Sequence, residues 1–205
     1  MKNENNKIQV PNVDRKYTRR LADDLLSSQQ ADVILLNAGA GYGKTQALAN
    51  YVRQFTGKSA WYSISATDND LMSFIQNFTK SIQYALEISE PDFSAPLPLL
   101  ENIDTVMEQL IVWLDAHIDY IHIIFDDFQE ISNPDIFNLL DILLETMEQK
   151  IRLFIVQKRS LPAFFDKYIK SGRAVSLGME ELRFKPAEIS TFLENLGEHN
   201  DQWAK

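Results

Sequence analysis

The sequence predicts an α/β domain built on a mainly parallel sheet, and three observations carry that expectation. Short apolar runs bounded by turn residues alternate with stretches whose apolar residues recur at helical spacing. A glycine-rich segment, "NAGAGYGKTQ" (Asn37–Gln46), joins the first apolar run to a helical stretch. A later run, "YIHIIFDD" (Tyr120–Asp127), ends in two adjacent aspartates. Strands that alternate with helices feed parallel sheets covered on both faces.

Each element has its own signal. Arg20–Ser28 reads as a short helix, and "DVILLNA" (Asp32–Ala38) as a buried strand. A helix follows the glycine turn, from Lys44 to about Phe55, and then a strand over "SAWYSI" (Ser59–Ile64). From Asp68 to Leu86, Leu71, Ile75, Phe78, Ile82 and Ala85 recur on one helical face. "SEPDFSAPLP" (Ser89–Pro98) holds three prolines and no periodicity, so it is a loop. Val106–His117 is expected to be helical and Tyr120–Asp127 a third strand. Asn133-Pro134 has the form of an N-cap followed by proline at the first helical position. The helix it starts would place Ile136, Leu139, Leu140, Leu143, Leu144 and Met147 on one face. "IRLFIVQ" (Ile151–Gln157) is a fourth strand, Pro162–Ser171 a helix, "AVSL" (Ala174–Leu177) a weak fifth strand and Pro186–Leu196 a last helix.

Composition narrows the class. With 45% hydrophobic and 24% charged residues the chain has the makings of a soluble core. No apolar run approaches the roughly 20 residues of a membrane span. The polar start "MKNENNKIQ" lacks the apolar stretch of a secretory signal, so a cytoplasmic location is expected. There are no cysteines, which excludes disulfides and cysteine–zinc sites. His117, His122 and His199 have no zinc-ligand spacing, and His122 inside a strand reads as a satisfied core residue. A net charge of −9 argues against direct nucleic-acid binding, which depends on clustered Lys and Arg. The longest basic cluster, "DRKYTRR" (Asp14–Arg20), reads as a solvated helix start.

The glycine turn carries the chemistry. "AGAGYGKT" fits the pattern G-x-x-x-x-G-K-[ST], with Ala38 at the first glycine position and Gly43, Lys44 and Thr45 at its end. Gly39, Gly41 and Gly43 can take positive φ, letting N–H groups of Ala38–Gln46 (Ala40 and Tyr42 included) converge on phosphate oxygens. The following helix adds its positive end. Lys44 would reach the β- and γ-phosphates and the Thr45 hydroxyl would ligate Mg²⁺. The double aspartate supplies the rest: Asp126 as the metal-side carboxylate, Asp127 to polarise an attacking water. The bland alternatives are a tight turn with a surface lysine and an acidic start to a surface loop.

With both halves in place, the chain resembles the nucleotide-binding domain of STAND-class signalling ATPases. The likeness is to the maltose-regulon activator (MalT) type found in large LuxR-family transcription regulators. Its marks are "AGYGKT" (Ala40–Thr45), "WYSI" (Trp61–Ile64) with "DND" after it, "IIFDDFQEISNPDI" (Ile123–Ile136) and "LFIVQKRSLP" (Leu153–Pro162). The resemblance runs from about Pro11 to Leu196. It implies a P-loop NTPase three-layer sandwich with a five-stranded sheet of the additional-strand type, the Ile151 strand lying between the glycine-turn strand and the double-aspartate strand. It also implies a sensor role for Arg159, reaching toward the γ-phosphate. Gly39 stands where the family commonly has proline, and Gln157-Lys158 replaces the small polar pair that usually precedes the arginine.

The resemblance divides the chain into an N-terminal arm (1–19), a nucleotide-binding domain (20–196) and the start of a C-terminal lid or linker (197–205). Such regulators continue into further domains, ending in a DNA-binding helix-turn-helix. The expectation is therefore a fragment of a larger regulator, an ATP/ADP and Mg²⁺-dependent switch that hydrolyses slowly and self-associates with ATP only as the full-length protein. DNA would be reached through the missing domain and no membrane is involved. The competing readings are an autonomous P-loop ATPase or phosphotransferase, and a degenerate loop kept as an interaction module.

Overall fold

The computed structural model describes residues 7–88 and 103–196. Five strands form one sheet: β1 (Val33–Asn37), β2 (Lys58–Ser63), β3 (Ile121–Asp126), β4 (Ile151–Gln157) and β5 (Ala174–Leu177). Their order is β2-β3-β4-β1-β5, and every neighbouring pair is parallel. The strand at Ile151 thus lies between the glycine-turn strand and the double-aspartate strand, as the resemblance implied. The expected loop Ser89–Pro98 lies outside the described residues.

Helices cover both faces, which is why β1 and β3 are apolar at nearly every position rather than at alternate ones. Below the sheet, α1 (Leu21–Ser28), α2 (Lys44–Gln54) and α7 (Met179–Leu182) enclose a core containing Ile34, Leu36, Trp61, Ile124, Phe154 and Val156. Above it, α3 (Leu71–Leu86), α4 (Ile103–His117), α5 (Pro134–Thr146) and α6 (Asp166–Lys170) pack on Val33, Leu35, Ile123, Phe125, Leu153 and Ile155. A last helix, α8, spans Pro186–Leu196. The period of two along each strand divides its side chains between these cores.

Capping fixes several boundaries. Asn133 accepts a hydrogen bond from the Asp135 N–H (3.0 Å), and Pro134 opens α5, whose expected apolar face is buried. Asp70 caps α3 by accepting from the Ser73 N–H, so α3 starts at Leu71 rather than Asp68. Asp68 belongs instead to a 3₁₀ turn, Ala66–Asn69, because its carboxylate is taken by the Ser65 N–H (2.7 Å). Pro162–Ser171 is likewise a 3₁₀ turn followed by the short α6, not one helix. The four-residue α7 had no periodicity to reveal it.

His122 is a core residue. Its ring stacks on Phe55 with centroids 3.8 Å apart, and its two nitrogens face the hydroxyls of Tyr51 (3.4 Å) and Tyr120 (3.2 Å).

Candidate functional site

All five strands point the same way, so the turns that follow β1, β2, β3 and β4 gather along one edge of the sheet. Leu35 pairs with Ile155, and Ile155 with Phe125. Beyond these pairs β3 ends at Asp126 and β1 at Asn37, where the glycine turn begins, with β4 between them.

In the turn, Gly41 (φ 86°) and Gly43 (φ 68°) adopt the left-handed conformation, with Tyr42 between them outside it. That alternation turns successive N–H groups toward one point. Gly39 does not share it: its φ is not positive, and an added Cβ would meet the Tyr42 ring only at an ordinary 3.8 Å. Of the three glycines able to take positive φ, the loop uses that freedom at Gly41 and Gly43.

Lys44 opens α2 and is buried. Its ammonium donates to the carbonyls of Ala38 and Gly39, both at 2.6 Å, so it lies folded over its own loop. Burial, with Lys158 nearby, holds its pKa below the ordinary lysine value against the opposing charges of Asp126 and Asp127. The Thr45 hydroxyl lies 3.2 and 3.1 Å from the two carboxylate oxygens of Asp126. Burial first, and the charge of Asp127 second, push the Asp126 carboxyl up to about 6. A hydroxyl and a buried carboxylate converging at one point make a donor set that suits Mg²⁺, which takes one or two protein oxygens and fills its octahedron with water and phosphate.

Asp127 takes positive φ (59°). Its carboxylate pairs with the Lys158 ammonium at 2.7 Å and accepts from the Gln129 amide at 3.1 Å. Arg159 is exposed, and its guanidinium makes no hydrogen bond or ion pair among the described residues; only its carbonyl is engaged, by the Gln157 amide at 3.0 Å. Of the two adjacent cations after β4, Lys158 is the one paired with Asp127.

Three features escaped the sequence reading. The arm crosses the site: the Ser63 N–H donates to the Lys7 carbonyl (2.7 Å), and the Lys7 ammonium reaches Asp68 (2.9 Å). A pocket of about 580 Å³ is lined by Lys7 and Asn12 of the arm together with Thr45, Ser65, Asp126 and Asp127. Gln46, expected among the phosphate-facing residues, spends its carboxamide on the arm, accepting from the Asp14 N–H and donating to the Asn12 carbonyl, both at 3.0 Å.

Arg20 is the second. Rather than a solvated helix start it is 3% exposed, and its guanidinium donates to the carbonyls of Tyr42 (3.0 Å), Gly43 (3.2 Å) and Leu182 (3.2 Å) while lying over the Phe184 ring. The basic run was visible, but nothing in its spacing marked which arginine turns inward. The third is a clasp between the turns after β2 and β3. Asn69 accepts from the N–H groups of Ser132 (2.7 Å) and Asn133 (2.9 Å), and Asn133 donates to the Asn69 carbonyl (3.1 Å). The "DND" and "SNP" segments are two halves of one contact.

The sheet order and the loop at the end of β1 define a P-loop NTPase fold. The Walker-type ATPase of Pyrococcus abyssi superposes with a TM-score of 0.54 over 90% of this chain and 59% of its own, at 15% identity. The Aeropyrum pernix ORC1 protein, solved in complex with DNA, does so at 0.54 over 92% and 50%, at 16% identity. In sequence, the chain is 26% identical over 178 residues to the HTH-type transcriptional regulator MalT of Yersinia pestis, and 23% identical over 162 residues to that of Yersinia enterocolitica. The first match covers 85% of this chain and 20% of the relative, so the chain spans about a fifth of the length of the curated relatives it matches. No protein-family model matches it. The chain has the P-loop ATPase fold and is similar in sequence to a stretch of the MalT regulators.

Proposed function

We propose that this domain binds a Mg²⁺–adenine nucleotide on the Ala38–Gln46 loop and serves as the nucleotide switch of a longer, cytoplasmic, signal-responsive bacterial transcription regulator. The observation that carries the reading is the meeting of Thr45 with both oxygens of Asp126 at the mouth of a glycine loop that already shelters Lys44. The two features lie 81 residues apart in sequence, and a merely tight turn has no need to bring them together.

In this reading the Gly41 and Gly43 turn presents N–H groups to the phosphates, and the start of α2 adds its partial positive charge. Lys44 exchanges the Ala38 and Gly39 carbonyls for phosphate oxygens. Thr45 and Asp126 hold Mg²⁺, whose role is to neutralise charge between the terminal phosphates. Asp127 polarises a water when hydrolysis occurs. Adenine is favoured over guanine because the chain lacks an N-K-x-D motif and its curated relatives are of the MalT type. Turnover is slow, as suits a switch whose output is the difference between its two bound states.

Calorimetric titration of ATP and of ADP, each with Mg²⁺, into the parent and Lys44→Ala tests this. Saturable binding to the parent that disappears in the variant is expected. Equal binding by both, or brisk multiple-turnover hydrolysis by this chain alone, would overturn it.

A further inference from the structure

α4 carries more apolar residues than one buried face can use. Its run "LIVWL" (Leu110–Leu114) sets apolar side chains at successive positions, and at about 100° per residue they go right round the helix. Leu110 and Leu114, with Val106 and Met107 a turn earlier, enter the core, whereas Ile111 is only partly buried and Val112 is 69% exposed. Beside α5, whose Ile142 is also only partly buried, this leaves a hollow of about 490 Å³ lined by Met107, Glu108, Ile111, Val112, Ile142 and Thr146. A second hollow, of about 630 Å³, meets it at Glu108 and Val112 and runs along α4 from Thr105 to His117. Thr105 to Ala116 is about 16 Å of helix, roughly three turns. A single exposed valine is ordinary, but consecutive apolar positions turned outward beside a groove mark a surface with a use.

The charge around this groove has one sign. From Ser81 to Gln149 the sequence contains no lysine or arginine, and that stretch holds both α4 and α5. Asp115 and Glu145 are paired with Lys150 and Arg173, cations supplied from outside the two helices. Glu108, at the junction of the two hollows, is exposed and makes no hydrogen bond or ion pair among the described residues. We propose that the α4–α5 groove docks a cationic amphipathic helix of another protein, with aliphatic side chains seated on Ile111, Val112 and Ile142 and a lysine or arginine meeting Glu108. Such a helix presents its anchors at i, i+3, i+4 and i+7, and three turns of it match the length of the groove. A second copy of this chain would set the same carboxylates against each other, and nucleic acid or an anionic lipid surface is repelled in the same way. α4 and α5 cover the face of the sheet opposite α2, so the surface does not depend on the nucleotide reading.

Fluorescence anisotropy with a labelled probe peptide tests this. The probe is a helix of about four turns with leucine at i, i+3, i+4 and i+7 and lysine on its other face, and its counterpart carries glutamate for every lysine. The full chain is expected to bind the lysine probe saturably and the glutamate probe at least about tenfold more weakly. Val112→Ser should weaken the lysine probe about tenfold, the worth of one buried aliphatic side chain, and Glu108→Lys about fivefold. Asp24→Lys, which makes the same change of charge on α1 across the sheet, should leave the affinity unchanged. All three positions are exposed, and far-UV circular dichroism of each variant checks its fold. No saturable binding by the parent, equal binding of the two probes, an unaltered affinity in Val112→Ser, or equal losses in Glu108→Lys and Asp24→Lys overturns the proposal. The rival occupant is the chain's own segment 89–102, which leads into α4 and lies outside the described residues. Serine in place of Leu97, Leu99 and Leu100 together should leave the affinity unchanged. A chain that binds the probe only after that replacement has its groove filled from within, and the proposal falls.

Discussion

Gly39 and Gly43 stand four residues apart in one loop and answer to different constraints. Gly43 holds φ at 68°, and a Cβ built there would meet the Arg20 guanidinium nitrogens at 3.1 and 3.2 Å. Gly39 has neither restriction. Gly43→Ala should therefore cost about 1–3 kcal/mol, strain plus displacement of Arg20, whereas Gly39→Ala should stay within about 0.5 kcal/mol of the parent. Urea unfolding of the two variants checks this, and equal costs would contradict the assignment. Arg20 itself supports three carbonyls from a buried position. Arg20→Met keeps much of the volume and leaves the carbonyls of Tyr42, Gly43 and Leu182 short of donors. A loss of about 3 kcal/mol is expected by urea unfolding, because buried acceptors left unmade cost more than the bonds contribute when formed. A change below about 0.5 kcal/mol, the range of ordinary surface substitutions, would mean that solvent replaces the guanidinium and that the loop does not lean on α1.

At the level of elements, the Asn69–Asn133 clasp joins the 3₁₀ turn before α3 to the N-cap of α5. Asn133→Ala removes the cap and half of the clasp, and Asn69→Ala removes the other half. Each should destabilise by about 1 kcal/mol or more, and the double variant should fall short of the sum by about 1 kcal/mol, since both remove the same contact. Strict additivity in urea unfolding would show that the two turns are independent. Much of the element map was legible: β4 and β5 were read to the residue, and α5 to its cap, because apolar runs and cap chemistry are local signals. What escaped depends on distance. Asp68 leaves the helical pattern because Lys7 and Ser65 hold its carboxylate, and 61 residues separate it from Lys7. The loop residues and the double aspartate were readable from spacing, and the structure brings Thr45 and Asp126 together. The ion pair of Lys158 with Asp127 was not readable, because Lys158 and Arg159 are adjacent cations and nothing in their spacing shows which one meets the carboxylate.

For the whole molecule, two buried groups make global stability depend on pH in opposite directions over one window. Burial first, and the charge of Arg152 second, push the His122 imidazole down from 6.5 to about 4. Above pH 6.5 it is neutral in both states; as pH falls toward 4 the unfolded chain takes the proton first, so stability is lost. Asp126 is raised from 3.8 to about 6. Below pH 6 the folded chain takes the proton first, so stability is gained until the unfolded carboxyl also protonates near 3.8. Each swing is worth up to about 3 kcal/mol, and in metal-free buffer the two largely cancel between pH 6 and 4. Removing either should uncover the other. His122→Phe, which keeps the ring stack with Phe55, should gain stability as pH falls through this range, and Asp126→Asn should lose it. The carboxylates of Asp68 and Asp141, both held below their ordinary value, contribute the same slope to every variant and drop out of the difference. The slope is the test and the intercept is not, because each substitution also changes packing. Urea unfolding at closely spaced pH values in chelator would decide it, and three parallel profiles would mean that neither group is desolvated as its position in the fold requires.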